Sequence, residues 1–386
     1  MSDVDAYARL MAAFDELERA SPQDRASRLE VLRAREPSLA HSLVELLAAS
    51  AGGRPLEAMV DLSGVLASGL GAVERPLPLA LGTTLGLYRL DDVLGQGGMG
   101  CVYRATHVEL GRRAAIKVLE PRLTEDARYA SRFLHEAKTV SALRHPNVVE
   151  VYDFVETTTP RRVAIVMELL EGLTLSALLT ERPLGLKEAL SAVLQLCSAL
   201  EAVHAQGVVH RDLKPDNVMV VGPLTDATRP SVKLLDFGIA KVPDPRAMHQ
   251  TATGVMMGTP AYMAPEQFAA EPPTPATDVY ALGELLYEML ARRPAFTERG
   301  LRLMRRKTSG PAPELVLPEG LPTQVLGPLL EACLETAAAD RPSVAELRDA
   351  LEGLRDREPA PRPARTAAAR GAGAWRAKAG IAALVA

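Results

Sequence analysis

The stretch His210 Arg211 Asp212 Leu213 Lys214 Pro215 Asp216 Asn217 places a carboxylate, an ammonium and a carboxamide inside one short loop. Asp212 can accept a proton from an incoming hydroxyl, Lys214 can offset charge on a transferring phosphate, and the Asn217 amide oxygen can ligate a hard divalent cation. These are the groups needed to carry a phosphoryl group onto a hydroxyl. Downstream, Leu234 Leu235 Asp236 Phe237 Gly238 ends a short apolar run with a second carboxylate suited to a metal ion.

The two motifs together form the protein kinase signature. Over roughly residues 88 to 354 the chain resembles the eukaryotic-like serine/threonine protein kinases of bacteria. The resemblance implies an α+β fold of two lobes, an N-terminal antiparallel sheet plus one helix and a C-terminal, mostly helical lobe. It also implies ATP, Mg²⁺ and protein substrates bearing Ser or Thr.

Outward from that loop, Gly95 Gln96 Gly97 Gly98 Met99 Gly100 supplies glycines at the spacing Gly-x-Gly-x-x-Gly, with Val102 completing the kinase form. A backbone without Cβ atoms can lie close over phosphates and point its N–H groups at them. A dinucleotide-binding turn would open a helix within this motif. Cys101 Val102 Tyr103 Arg104 instead reads as a strand, which favours a hairpin.

Lys117 follows in a strand pattern, where an unpaired buried ammonium would be costly. The resemblance supplies its partners, the α and β phosphates and a helical glutamate, for which Glu136 is the candidate. It also places adenine between apolar side chains such as Ala115 and Val102, after Leu94, and makes Met167 the gatekeeper and Glu168 to Leu170 the hinge.

Lys214 two residues after Asp212, and Thr259 in Gly258 Thr259 Pro260 Ala261 Tyr262 Met263 Ala264 Pro265 Glu266, match the serine/threonine class. Glu266 is expected to pair with Arg341, and Asp278 to brace the catalytic loop. The segment from Asp236 to Glu266 is expected to dock a protein substrate. Thr251 and Thr253, eight and six residues before Thr259, are candidate phosphosites. A phosphate there can order the segment against Arg211, and autophosphorylation between two copies of the chain would supply it.

Composition bounds the alternatives. A chain of 386 residues calls for a core domain with appendages. A net charge of −4 and a pI near 6.1 argue against a general nucleic-acid binder. Cys101, Cys197 and Cys333 form neither a disulfide framework nor a metal-spaced pair, and fit a reducing compartment. Cys101 beside the phosphate loop reads either as a reactive thiol of lowered pKa or as an inert small side chain. Met1 to Arg19 is dense in Asp, Glu and Arg, so a secretory signal is not expected.

Residues 1–50 read as a helical segment, with Ser21 capping a helix that Pro22 opens. It is an appendage packing on itself or on the kinase domain, or else a partner module. Residues 51–87 read as a linker, short strands are expected from Tyr88, and helices dominate after Leu186. Strands are expected at Tyr88 to Leu94, Cys101 to Ala105, Ala114 to Leu119, Val148 to Phe154 and Val163 to Met167, and helices over 186–205, 276–291, 322–335 and 343–354. Beyond Leu354 comes a Pro, Ala and Arg tail. Its basic stretch Arg362 to Lys378, with Trp375 and the apolar run Ala379 to Ala386, reads as the cytoplasmic flank of a membrane anchor or as a plain tail.

Two other classes are weighed against an active kinase. A scaffold that only binds partners would be expected to lack one of Lys117, Asp212 or Asp236. A small-molecule phosphotransferase would not need the intact segment from Asp236 to Glu266.

Overall fold

The computed structural model describes residues 13, 17, 22–36, 40, 43, 79–97, 100–120, 141–158, 161–225, 230–236, 260–269, 271–298, 300–310 and 312–357. Glu136, Gly98, Met99, Thr251, Thr253, Thr259 and the basic tail lie outside them. So do residues 121–140, where the one helix of the N-terminal lobe is expected.

The N-terminal segment and the main body are separate compact units. In the first, helix α1 (Pro22–Arg35) opens on Pro22, whose missing N–H costs nothing in a first turn. Leu17 and Leu43 are buried against Ala13, Leu29 and Leu32, and Arg25 Nε donates to the Leu17 carbonyl at 2.8 Å.

The main body begins with a six-stranded antiparallel sheet. Its strands are β1 (Thr84–Leu85), β2 (Tyr88–Gly97), β3 (Gly100–His107), β4 (Arg113–Leu119), β5 (Val151–Thr158) and β6 (Arg161–Met167), in the order β1-β2-β3-β4-β6-β5. A three-stranded sheet follows, β7 (Leu173–Thr174), β8 (Val218–Val220) and β9 (Val232–Leu234). The helices are α2 (Leu175–Glu181), α3 (Leu186–His204), α4 (Pro265–Phe268), α5 (Pro275–Ala291), α6 (Gly300–Ser309), α7 (Thr323–Cys333) and α8 (Val344–Arg357).

Side chains alternate across a strand, and the large sheet therefore has two apolar faces. Cys101, Tyr103, Ile116, Val118, Ala164 and Val166 make one cluster. Leu94, Val102, Ala115, Ile165 and Met167 belong to the other, which continues into α3, α5 and β8. The second face is the one turned to the helical lobe. Within that lobe α5 is apolar on nearly every side and is buried accordingly from Thr277 to Tyr287.

Two sequence expectations need correction. Thr84 and Leu85 pair with Arg89 and Tyr88, and the Leu79 N–H donates to the Tyr103 hydroxyl at 2.6 Å, so the sheet takes in residues read as linker. The strand expected from Val148 starts only at Val151. Val148 instead forms an isolated parallel bridge with Leu234, because the Val149 N–H bonds to Leu234 O at 3.0 Å and the Leu234 N–H to Asn147 O at 2.8 Å. That bridge ties the approach to β5 to the strand leading into Asp236.

Candidate active site

Hairpin β2–β3 brings the glycines into register, with Gly97 opposite Gly100 and Gly95 opposite Val102. Gly100 has φ +148°, and a Cβ there would lie 2.0 Å from the Val118 carbonyl oxygen. Only glycine meets both conditions. Gly95 is held from the other side, its carbonyl accepting a weak bond from Cys101 Sγ at 3.3 Å.

Lys117 sits on β4 opposite Val102 on β3 and Ile165 on β6. Period-2 alternation puts its side chain on the face of Val102 and Ala115, whereas Cys101 lies on the opposite face. Lys117 is 8% exposed, and its Nζ meets Asp236 Oδ2 at 2.8 Å. Asp236 holds a left-handed φ of +35°, a conformation uncommon outside glycine that recurs at functional sites.

The catalytic loop is built onto a fixed frame. His210 is fully buried. Its Nε2 lies 2.8 Å from Leu235 O, and since a carbonyl only accepts, Nε2 carries the proton. Nδ1 then accepts the Asp212 N–H at 3.3 Å. Asp278 on α5, 1% exposed, accepts the main-chain N–H groups of His210 at 2.8 Å and Arg211 at 2.9 Å. Arg211 holds φ +66°, so two anchored N–H groups fix a left-handed backbone just before Asp212. This is the bracing role expected of Asp278.

Asn217 ends the 3-10 turn Pro215–Asn217. Its Nδ2 donates to Asp212 O at 2.7 Å and to Asp212 Oδ2 at 3.2 Å. Its Oδ1 is buried and has no hydrogen-bond partner among the described residues. A buried amide oxygen without a partner costs free energy comparable to a lost hydrogen bond, unless a ligand satisfies it. The Leu235 N–H bonds to Asn217 O at 2.8 Å, which brings Asp236 beside Asn217. An amide oxygen and a carboxylate are the hard oxygen donors that Mg²⁺ takes. Lys214 Nζ stands 3.8 Å from Asp212 Oδ2.

Register puts Val102, Ala115 and Met167 on one face of the sheet, and Leu94 and Leu170 are buried in the same cluster. Glu168, next to Met167, has its Oε1 fastened by the Glu150 N–H at 2.8 Å and by Lys233 Nζ.

The expected Glu266–Arg341 pair is bidentate, with two contacts of 2.8 Å. Burial alone would raise the Glu266 carboxyl, but bonds from Arg341, a main-chain N–H and Thr277 outweigh it and hold the group below its usual range. Cys101 is the inert side chain, because burial pushes its thiol up and its sulfur faces away from Lys117. The reactive alternative is corrected on that ground.

Three partners escaped the sequence reading. His204 on α3 lies 2.7 Å from Asp278 Oδ2. Gln267 Nε2 donates to Arg211 O at 2.8 Å. Lys233 reaches Glu168. All three join elements far apart in sequence, and only the motif residues themselves carry a local signal.

The protein kinase domain family matches residues 88–350. The chain belongs to the protein kinase family. Its relatives include the serine/threonine-protein kinase Pkn1 of Myxococcus xanthus, 40% identical over 288 residues, an alignment covering 72% of this chain and 40% of that protein. Serine/threonine-protein kinase PknA of Mycobacterium tuberculosis is 37% identical over 292 residues, covering 74% of this chain and 65% of the relative. This kinase thus spans less than two thirds of either relative. The crystal structure of the Mycobacterium tuberculosis PknI kinase domain aligns with a TM-score of 0.57 at 28% identity, covering 71% of this chain and 99% of that one.

Proposed function

We propose that this chain is a serine/threonine protein kinase that transfers the γ-phosphoryl group of ATP to Ser or Thr hydroxyls of proteins, as part of bacterial signalling. The observation that carries the reading is the partnerless, buried Asn217 Oδ1 beside a fixed Asp212 and Asp236. Asp212 is the group that accepts the substrate hydroxyl proton as the new O–P bond forms and the bond to the leaving ADP breaks. Lys214 offsets charge on the transferring group, and Lys117 clamps the α and β phosphates with Glu136 as its helical partner. Asn217 and Asp236 would hold Mg²⁺, which when bound neutralises phosphate charge. Gly95 to Gly100 cover the phosphates, while the face of Leu94, Val102, Ala115, Met167 and Leu170 takes the adenine.

Finer proposals rest on sequence alone. Thr251 and Thr253 are autophosphorylated between two copies of the chain, and the phosphate orders the substrate-docking segment. The chain is tethered to a membrane through its C-terminal end, the basic stretch Arg362 to Lys378 forming the cytoplasmic flank of the apolar run Ala379 to Ala386, with the kinase domain in the cytoplasm. Among the described residues no helix is long and apolar enough to cross a membrane.

Asp212→Asn tests the reading. Transfer to myelin basic protein is expected to fall about 10²- to 10⁴-fold, with ATP binding and the melting temperature retained. Near wild-type transfer by that variant would refute the role of Asp212.

A further inference from the structure

Lysine is among the residue types least often buried, yet Lys307 on α6 is 2% exposed. Its ammonium faces three oxygens: Glu284 Oε1 at 3.1 Å, Met263 O at 2.9 Å, and Ala261 O. Around it stand the rings of Tyr280 and Phe296, at 4.8 and 4.9 Å. Glu284 on α5 is 1% exposed. Burial pushes its carboxyl up and the Lys307 ammonium down.

Packing α6 on α5 does not account for this pair. Apolar side chains of similar volume would hold two helices together as well or better, since desolvating both ions offsets much of their attraction. The two carbonyls do account for it. An ammonium has three donors and no acceptor; its hydrogen bonds go to Ala261 O and Met263 O, while Glu284 Oε1, 3.1 Å away, balances its charge.

Those carbonyls belong to the turn Pro260–Tyr262 and the residue after it, directly following Thr259 and leading into Glu266. The same turn is fastened through the Tyr262 hydroxyl, which donates to Glu288 Oε2 at 2.5 Å. Past the turn, Gln267 accepts the Ala264 N–H at 2.9 Å and donates to Arg211 O at 2.8 Å, one residue from Asp212. The backbone that Lys307 grips is therefore linked to the catalytic loop and lies in the segment that would receive a protein substrate.

We infer that Lys307, its charge balanced by Glu284, is a positioning residue that sets the backbone of Pro260–Met263 as the docking ledge for the substrate chain beside its acceptor hydroxyl. The inference rests on the kinase reading above. It also explains why the contact is ionic: carbonyls need a donor that no apolar side chain supplies.

The test compares Lys307→Met with the double variant Lys307→Met/Glu284→Leu, using myelin basic protein as the acceptor. Wild-type transfer to that acceptor examines the kinase reading separately. Both variants are expected to lose roughly 10- to 100-fold in kcat/KM for the protein acceptor, chiefly through KM, because a misplaced substrate is costly. The KM for ATP is expected to stay within about twofold, since uniform loss would mark a general defect. The double variant leaves no unpaired carboxylate in the core, so it recovers melting temperature over the single variant. Recovery of the acceptor KM in the double variant would overturn the proposal, because Lys307 would then serve only to neutralise Glu284. Equal losses in the ATP and acceptor parameters would overturn it as well.

Discussion

Two ion pairs in this molecule have nearly the same contact distance and opposite surroundings. Arg341 and Glu266 meet at 2.8 Å, and both are saturated: Arg341 also bonds to Glu335 O, Thr336 O and Ala276 O, and Glu266 accepts from Thr277. Lys117 and Asp236 also meet at 2.8 Å, but through a single contact, between side chains 10% and 13% exposed. Asn217, with one orphaned oxygen, stands beside that second pair. The difference separates a strut from a site. Where every donor and acceptor is matched, the network fixes the fold; at Asn217 an unmatched hard oxygen is held beside the carboxylates of Asp212 and Asp236, a geometry prepared for a cation.

If that contrast is sound, Arg341→Met gives the largest effect. Removing one partner strands the Glu266 charge and is expected to cost about 3–5 kcal/mol of stability, seen as a lowered denaturation midpoint in urea. A change no larger than that of a surface arginine would erase the distinction. Lys117→Met is expected to act on chemistry, lowering transfer roughly 10²- to 10³-fold. Its midpoint is expected to move much less than that of the Arg341 variant, and equal losses of stability in both would break the comparison.

A pH series sharpens the strut. Glu266 has a folded-state pKa below its ordinary value of 4.5, so its pairing adds stability that is present above pH 4.5 and is lost as pH falls through the folded value. The melting-temperature gap between wild type and Glu266→Gln is therefore expected to be constant near neutrality and to close only below pH 4.5. A gap that stayed open at the lowest pH would show that the pair does not supply it.

The catalytic loop, the glycine loop and Lys117 were legible because each sits in a motif whose residue types have a shared chemical use, and the Glu266–Arg341 strut was legible only through the resemblance to the kinase family. The long strands and helices were legible too, from period. What escaped was short or non-local. Thr84–Leu85 and Leu173–Thr174 are two residues each, too brief for an alternating pattern. Val148 reads as strand by residue type, yet its backbone pairs with Leu234 across a large sequence separation. His204, Gln267, Lys233 and Lys307 look like ordinary surface polar residues until the fold brings α3, α4, β9 and α6 against the loops they hold.

The central claim is that the unmatched Asn217 Oδ1, held beside Asp212 and Asp236, marks where a cation binds, and Asn217 tests it most directly. Binding of Mn²⁺, a paramagnetic stand-in for Mg²⁺, can be measured by electron spin resonance in the presence of a non-hydrolysable ATP analogue, for wild type and Asn217→Leu. The account predicts that the variant keeps its melting temperature within a few degrees but binds the metal–nucleotide at least roughly tenfold more weakly, since an oxygen ligand is lost. Unchanged metal binding in a folded Asn217→Leu variant would contradict it.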